Sequence, residues 1–187
     1  MSEYRGSFTF RLLTMDDIPQ MSIWLSDPDV AEWYGEGGTS IEHLTDQYSP
    51  KIQRLTPTLG YIAKVDGVDI GYIQAVPIDG YPDYSVQLQI EPGAVGVDIF
   101  IGEAVYRGRG LGTTMLRAFT DEIVFGQLQA TVAVIGPDPQ NVRAVRSYEK
   151  AGFSWLKTVY VTDEERPSEN GEEYLMARYS TGFEARK

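Results

Sequence analysis

The stretch VDIFIGEAVYRGRGLGTTML, residues 97–116, constrains the fold more than any other part of the chain. It runs apolar, breaks at Gly108, Gly110 and Gly112 with Arg109 and Leu111 between them, and then resumes with helix-forming residues. A strand must end and a helix begin across a few residues whose backbone is free to turn left-handed. Glycines let a ligand come close to the main chain, and the first N–H groups of a helix lack intrahelical partners and favour an anion. Two phosphate-binding patterns fail on spacing. No Lys-Ser/Thr follows, as a Walker loop needs, and the alternating glycines do not spell GxGxxG. A plain chain reversal is the other use of such a turn.

Charge narrows the partners. Asp and Glu number 27 against 16 Lys and Arg, for a formal net charge of −11. Nucleic-acid affinity rests on cationic contacts to phosphate, so this balance argues against it, while an acidic field attracts polycations or simply aids solubility. There is no cysteine, which excludes disulfides, a thiolate nucleophile and cysteine-bound zinc. The single histidine, His43, rules out a histidine-rich metal site, and no metal is expected. No apolar run reaches the roughly 18–20 residues of a membrane-spanning helix. MSEYRGSFTF lacks the layout of a signal peptide, so a cytoplasmic protein without membrane contact is expected. A length of 187 residues suits one domain, 1–187, as a monomer or homodimer.

Periodicity gives the element order. FTFRLL (8–13) reads as a strand, and Thr14 followed by Met15, Asp16 and Asp17 reads as the N-cap of a helix running to about Leu25. VAEWYG (30–35) looks like a short helical turn. Ile41, Leu44, Tyr48, Ile52 and Leu55 have helical spacing, with Pro50 expected to kink or divide that helix. YIAKV and DIGYIQAV flank Asp66-Gly67, a strong hairpin signal. A loop through DGYPDY (79–84) leads to VQLQI and the strand VDIFI. Residues 111–125 read as a helix, ATVAVI (130–135) as a buried strand, and NVRAVRSYEKAGF as a helix capped by Gly152. WLKTVYV and EEYLMARY close the chain as strands, with an acidic hairpin loop between them. The mixture predicts an α+β or mixed α/β fold around one sheet.

Two motifs then stand at a telling separation. Arg107-x-x-Gly110-x-Gly112 resembles the (Q/R)xxGxG/A signature of the GNAT acyl-CoA N-acyltransferases, and PDPQNVRAVRSYEKAGF (137–153) resembles their NxxAxxxYEKxGF signature. The resemblance implies the GNAT fold, a central, mostly antiparallel twisted sheet splayed at the coenzyme A site with flanking helices, and acetyl-CoA as co-substrate. Within that superfamily the chain resembles the aminoglycoside 6′-N-acetyltransferases over roughly residues 8–155. TFRLLTMDDIPQMSIWL, DVAEWYG, DQYSPKI, YIAKVDGVDIGYIQ and PGAVGVDIFIG carry the likeness. Related siderophore-pathway acyltransferases share the EWYG-type segment, whereas GVD and RSYEKAGF favour the aminoglycoside group.

This resemblance implies roles position by position. Asp98 corresponds to the carboxylate that meets the substrate amine and serves as, or helps provide, the general base. Tyr148 corresponds to the tyrosine beside the thioester sulfur, the proton donor to the leaving thiolate. Ile99, Phe100 and Ile101 present backbone to pantetheine, and Asn141 and Ala144 lie in the second signature beside that arm. Arg107, Gly108, Arg109, Gly110, Leu111, Gly112 and Thr113 form the phosphate turn. Tyr34, Tyr48, Gln74, Asp83 and Asp98 fall where the family contacts a cationic aminosugar.

The chain also departs from the family. Gly136 stands where an aspartate often contacts the drug, Thr56 replaces a helix-end glutamate, and SVQLQI (85–90) replaces an acidic, tryptophan-containing run. These departures leave open a siderophore precursor, a metabolite or a protein amine as acceptor. A module that senses acyl-CoA without turnover is the alternative outside the enzymes.

The chemistry is coherent apart from the resemblance. An amine on a polycationic sugar arrives as an ammonium, so a carboxylate that binds it is also a natural proton acceptor. Asp98 sits among Val97, Ile99 and Phe100, where a lone charge is costly without a purpose. Tyr148 on an amphipathic helix would ordinarily be a core residue, and only its motif suggests otherwise. Direct transfer between two positioned substrates needs no cysteine.

Overall fold

The computed structural model describes residues 7–35, 38–162 and 171–182. Among the described residues seven strands, β1 (Phe8–Leu12), β2 (Leu59–Val65), β3 (Val68–Pro77), β4 (Val95–Ile101), β5 (Val132–Ile135), β6 (Ser154–Val161) and β7 (Gly171–Tyr179), hydrogen-bond in the order β1-β2-β3-β4-β5-β7-β6. β1 with β2, β2 with β3, β5 with β7 and β6 with β7 pair antiparallel, while β4 and β5 run parallel. This is the mixed α/β arrangement expected, with helices flanking an open sheet. By internal packing the chain forms two compact units, Met1–Val76 with Asp98–Met115 and Pro77–Val97 with Leu116–Lys187. No helix among the described residues is long and apolar enough to cross a membrane.

The first unit begins with β1 (Phe8–Leu12), followed by a single 3₁₀ turn and α1 (Ile18–Leu25). The expected cap is present: the Thr14 amide and hydroxyl both donate to Asp17 Oδ2, each at 2.9 Å. Arg11 holds the same carboxylate in a bidentate pair and donates to Asp69 at 2.6 Å. Burial pushes the Asp17 carboxyl up, but hydrogen bonds from Arg11 and Thr14 outweigh it and leave it below the ordinary range. Ile18, Met21, Trp24 and Leu25 face inward at helical spacing. They meet Leu44 and Tyr48 of α3 (Ile41–Ile52), Tyr72 of β3 and Phe100 of β4 in one apolar cluster. Burying each such side chain stabilises by about 1.5–3 kcal/mol. Pro50 does not divide α3, which runs on to Ile52 with the proline inside its last turn. Near a C-terminus the missing N–H costs only a single ladder bond, and Leu44 and Tyr48 hold the helix from inside.

The segment VAEWYG contributes only its first residues to a helix, α2 (Pro28–Ala31), capped by the Asp27 side chain on the Asp29 amide. β2 (Leu59–Val65) and β3 (Val68–Pro77) pair as the expected hairpin, with Asp66 and Gly67 at φ 50° and 83°. Two successive left-handed residues match the right-handed twist of the strands. β4 (Val95–Ile101) follows beside β3, so close that a Cβ on Gly71 would stand 2.3 Å from the Phe100 carbonyl oxygen.

In the second unit VQLQI does not extend the sheet. Pro82 and Asp83 start α4 (Pro82–Leu88), which stops where Gln89 turns left-handed at φ 46°. Proline at the first helical position and an acid in the first turn favour this helix. α5 (Leu111–Phe119) spans the end of the glycine turn and loosens into a π-helix over Thr120–Gln127. Thr120 Oγ1 donates to the Leu116 carbonyl at 2.6 Å, competing with the ordinary ladder at that point. β5 (Val132–Ile135), α6 (Val142–Lys150), β6 (Ser154–Val161) and β7 (Gly171–Tyr179) complete the unit as read from sequence. Gly152 follows α6 at φ 98°. Most of the acidic hairpin loop, 163–170, lies outside the described residues.

Candidate active site

The residues singled out by sequence fall into three groups, two in the first unit and one in the second. The first centres on Asp98, half-buried on β4. Gln74 on β3 donates from Nε2 to Asp98 Oδ2 at 2.6 Å. The Gln74 Oε1 in turn accepts from the Tyr72 hydroxyl at 2.9 Å and from Lys51 Nζ at 3.2 Å. Lys51 stands 4.5 Å from the centre of the Tyr48 ring, and Tyr48 packs edge-on against Tyr72 at 5.5 Å. Asp98 is therefore a charge-assisted hydrogen-bond acceptor in a prepared polar chain.

Two expected aminosugar contacts change character here. Tyr48 is 0% exposed and lies in the apolar cluster, so it has no surface to offer a ligand. Gln74 is 9% exposed and its amide is engaged at both ends within the protein. Tyr34, by contrast, is half-buried and set edge-on to Phe100 at 4.8 Å. Trp24 is core, its indole N–H donating to Glu103 at 2.9 Å, and His43 is exposed.

The second group is the glycine turn. Gly108 and Gly110 have φ of 73° and 80°, and nothing lies within 4 Å of where a Cβ would stand on either. Gly108, Arg109 and Gly110 are exposed, Leu111 is buried, and Gly112 and Thr113 are intermediate. Leu111, Gly112 and Thr113 form the first turn of α5, and the amides of a helix's first turn point out of its N-terminal end. Open space above left-handed backbone, a helix N-terminus and an exposed arginine fit a phosphate-bearing group. The strand leading here also suits an elongated ligand. Among the described residues the β4–β5 ladder pairs only Val95 with Ala133 and Gly96 with Val134, and β4 continues past it through Ile99, Phe100 and Ile101.

Arg107 does not match the expectation that both arginines meet phosphate. Its side chain is 11% exposed, and its guanidinium is spent inside the protein. Nε donates to the Ile101 carbonyl at 2.9 Å and Nη2 to that of Gly102 at 2.6 Å. Nη1 donates to Asp27 at 2.8 Å and Asp29 at 3.2 Å. The Arg107 hydrogen bond is the main cause that holds the Asp27 carboxyl below its ordinary range. Only the planar fork of an arginine can bind two carbonyls and a carboxylate pair together. Sequence reasoning missed this because Asp27 and Asp29 lie far away in the chain.

The third group belongs to the second unit. Asn141 caps α6, its Oδ1 accepting from the Ala144 amide at 3.0 Å, which leaves its Nδ2 group outside the cap. Tyr148 is half-buried in the last turns of the same helix, and Asp83 is exposed in the first turn of α4. Gly136 has a physical reason: a Cβ there would stand 2.3 Å from Glu173 Oε2. A carboxylate thus does lie against this position, supplied by the neighbouring strand β7, with the Tyr84 hydroxyl 3.4 Å away. No group of His, Asp and Glu suited to a metal ion occurs among the described residues.

Comparison with known proteins bears on this geometry. Residues 14–161 match the family described as "Acetyltransferase (GNAT) domain". Over 159 residues the chain is 35% identical to aminoglycoside N(6')-acetyltransferase type 1 of Klebsiella pneumoniae, covering 84% of this chain and 79% of that protein. Among solved structures, AAC(6')-Ib in complex with paromomycin and acetyl-CoA is similar at 32% identity and a TM-score of 0.80, over 96% of this chain and 99% of that one. The same enzyme with coenzyme A and kanamycin gives 32% identity and a TM-score of 0.78, over 92% and 95%.

Proposed function

This chain belongs to the GNAT acetyltransferases, and from that premise we propose that it moves an acetyl group from acetyl-CoA to the 6′-amine of an aminoglycoside. What carries the reading as far as this acceptor is the 35% identity shared with aminoglycoside N(6')-acetyltransferases across most of both chains. The net charge of −11 suits a guest with several ammonium groups. The reading takes 1–187 as a single catalytic domain working in the cytoplasm.

In this proposal the Leu111, Gly112 and Thr113 amides, the Gly108–Gly110 turn and Arg109 hold the phosphates. Ile99, Phe100 and Ile101 offer backbone to pantetheine, and Asn141 offers its Nδ2 group. Acetyl-CoA supplies the acyl group as an activated thioester. Asp98 binds the acceptor ammonium at its carboxylate and takes its proton, directly or through water, leaving a neutral amine to attack. Tyr148 Oη gives a proton to the departing sulfur. Tyr34 and Asp83 contact the sugar, while Tyr48 and Gln74 support the site from behind. Holding two substrates in attack geometry supplies much of the rate.

The test is thiol release from acetyl-CoA with two aminoglycosides alike except at the 6′ position. Turnover of the 6′-amine and none of the 6′-hydroxyl is the expected result. Equal turnover moves the acetylation elsewhere on the drug. No turnover of either, with another amine acetylated, sinks the substrate assignment.

A further inference from the structure

Lys51 has no part in the mechanism above, yet its ammonium bonds to a residue of the site. It lies on the last turn of α3, 4.5 Å from the centre of the Tyr48 ring and 3.2 Å from Gln74 Oε1. It also lines a cavity of about 230 Å³ with Leu12, Thr14, Arg54 and Gly60.

The physical point is the orientation of the Gln74 amide. A glutamine amide can reverse about its last bond, exchanging oxygen for nitrogen with little change of shape, so only its partners decide which end faces which way. At one end stand two donors, Lys51 Nζ and the Tyr72 hydroxyl, and at the other stands the Asp98 carboxylate, which only accepts. Reversal would set the amide nitrogen against an ammonium and its oxygen against a carboxylate. A hydroxyl can turn round and accept, so Tyr72 tolerates either orientation. An ammonium has no acceptor, so Lys51 does not.

We propose that Lys51 is a positioning residue that locks the Gln74 amide with Nε2 toward Asp98, keeping that carboxylate ionised and aimed. The proposal rests on reading Asp98 as the group that accepts the amine proton. Donation from an amide N–H favours the charged form of a carboxylate, so losing it makes Asp98 easier to protonate. Among the described residues, the ionisable groups about the chain Lys51–Gln74–Asp98 include Lys51 and Tyr48 on α3, Tyr72 on β3 and Arg54, which lines the same cavity as Lys51.

The experiment compares kcat, KM and the pH profile of kcat/KM for the wild type, Lys51→Met, Lys51→Arg, Gln74→Leu, Lys51→Met with Gln74→Leu, and Asp98→Asn. Circular dichroism establishes that each variant is folded. Lys51→Met is expected to move the acid limb upward by roughly one pH unit and to lower kcat several-fold, with KM for acetyl-CoA unchanged. Lys51→Arg keeps a cationic donor and should restore most of the wild-type limb. In the Gln74→Leu background Lys51→Met should add nothing, because its effect passes through the amide. An unmoved acid limb in folded Lys51→Met, or a full additional shift in the double variant, overturns the proposal while Asp98→Asn stays inactive. Wild-type turnover by Asp98→Asn would instead remove the reading on which it rests.

Discussion

Around Asp98 the polar atoms are bonded in advance, Gln74 being engaged by Tyr72, Lys51 and Asp98 together. At Gly108 and Gly110, only a short way along the same strand and turn, the backbone is exposed and left-handed, with open space where a Cβ would stand. Each condition suits a different task. A group that moves a proton must keep its charge and aim before the substrate arrives, because reorganising it during reaction raises the barrier. A surface that grips phosphate needs its N–H groups unspent, because an amide already bonded has nothing to donate. Arg107 joins the two regions. It binds the last carbonyl of β4, that of Gly102 just after it, and the carboxylates of Asp27 and Asp29, where the strand gives way to the turn.

The largest break of this comparison is Asp98→Asn. The shape stays and the proton acceptor goes, so kcat should fall about 100- to 10,000-fold with KM for acetyl-CoA little changed. Steady-state kinetics and a calorimetric titration with coenzyme A check the two halves separately. Next comes Gly110→Val. A β-branched residue at φ 80° carries a backbone penalty of about 1–2 kcal/mol, and its methyl groups enter the space left for the ligand. KM for acetyl-CoA should rise roughly tenfold or more with kcat largely kept. A fall in kcat at constant KM would mean the turn is part of the prepared region and not of the open one.

Arg107→Ala should disturb both regions through the fold. Loss of the bonds to the Ile101 and Gly102 carbonyls is expected to lower the Tm by roughly 4–8 °C, the shift of about 2 kcal/mol in a domain of this size. Its pH dependence has a definite sign. The Asp27 carboxyl is held below its ordinary value of 3.8, so the pair contributes above that value and is lost as pH falls through the lower folded one. The Tm difference between wild type and variant should therefore be constant near neutrality and narrow below about pH 4. A difference that widens in acid would contradict the geometry.

The regular elements were legible because their signals are local. Alternation marked the strands, Asp66-Gly67 marked the hairpin, and the spacing after Asn141 marked α6. What sequence did not reveal is set by partners far along the chain or by one side chain competing with the backbone. α4 hid behind a string that reads as strand or loop, though Pro82 and Asp83 are its start signals. The π-helical stretch begins where the Thr120 hydroxyl takes the Leu116 carbonyl, which no periodicity reveals. In the site, Asp98 stood out as a charge in an apolar strand. Lys51 did not, because a lysine near a helix C-terminus is ordinary, and only its neighbour Tyr48 one turn earlier hinted that it faces inward. The two arginines of the turn looked alike and are not.

Arg109→Ala isolates that last difference and has the smallest expected effect. Arg109 is exposed, and no hydrogen bond or ion pair to it occurs among the described residues, so the fold should not register its loss and the Tm should hold. A single exposed cation near phosphate gives a modest, screened attraction of about 1 kcal/mol, so KM for acetyl-CoA should rise roughly three- to tenfold at low salt. Because screening removes the same contribution from the wild type, the two proteins should converge as salt is raised. That convergence separates a phosphate contact from a structural one. If Arg109→Ala instead lowers the Tm as Arg107→Ala does, the open region is held by its own side chains, and the division drawn between the two stretches is wrong.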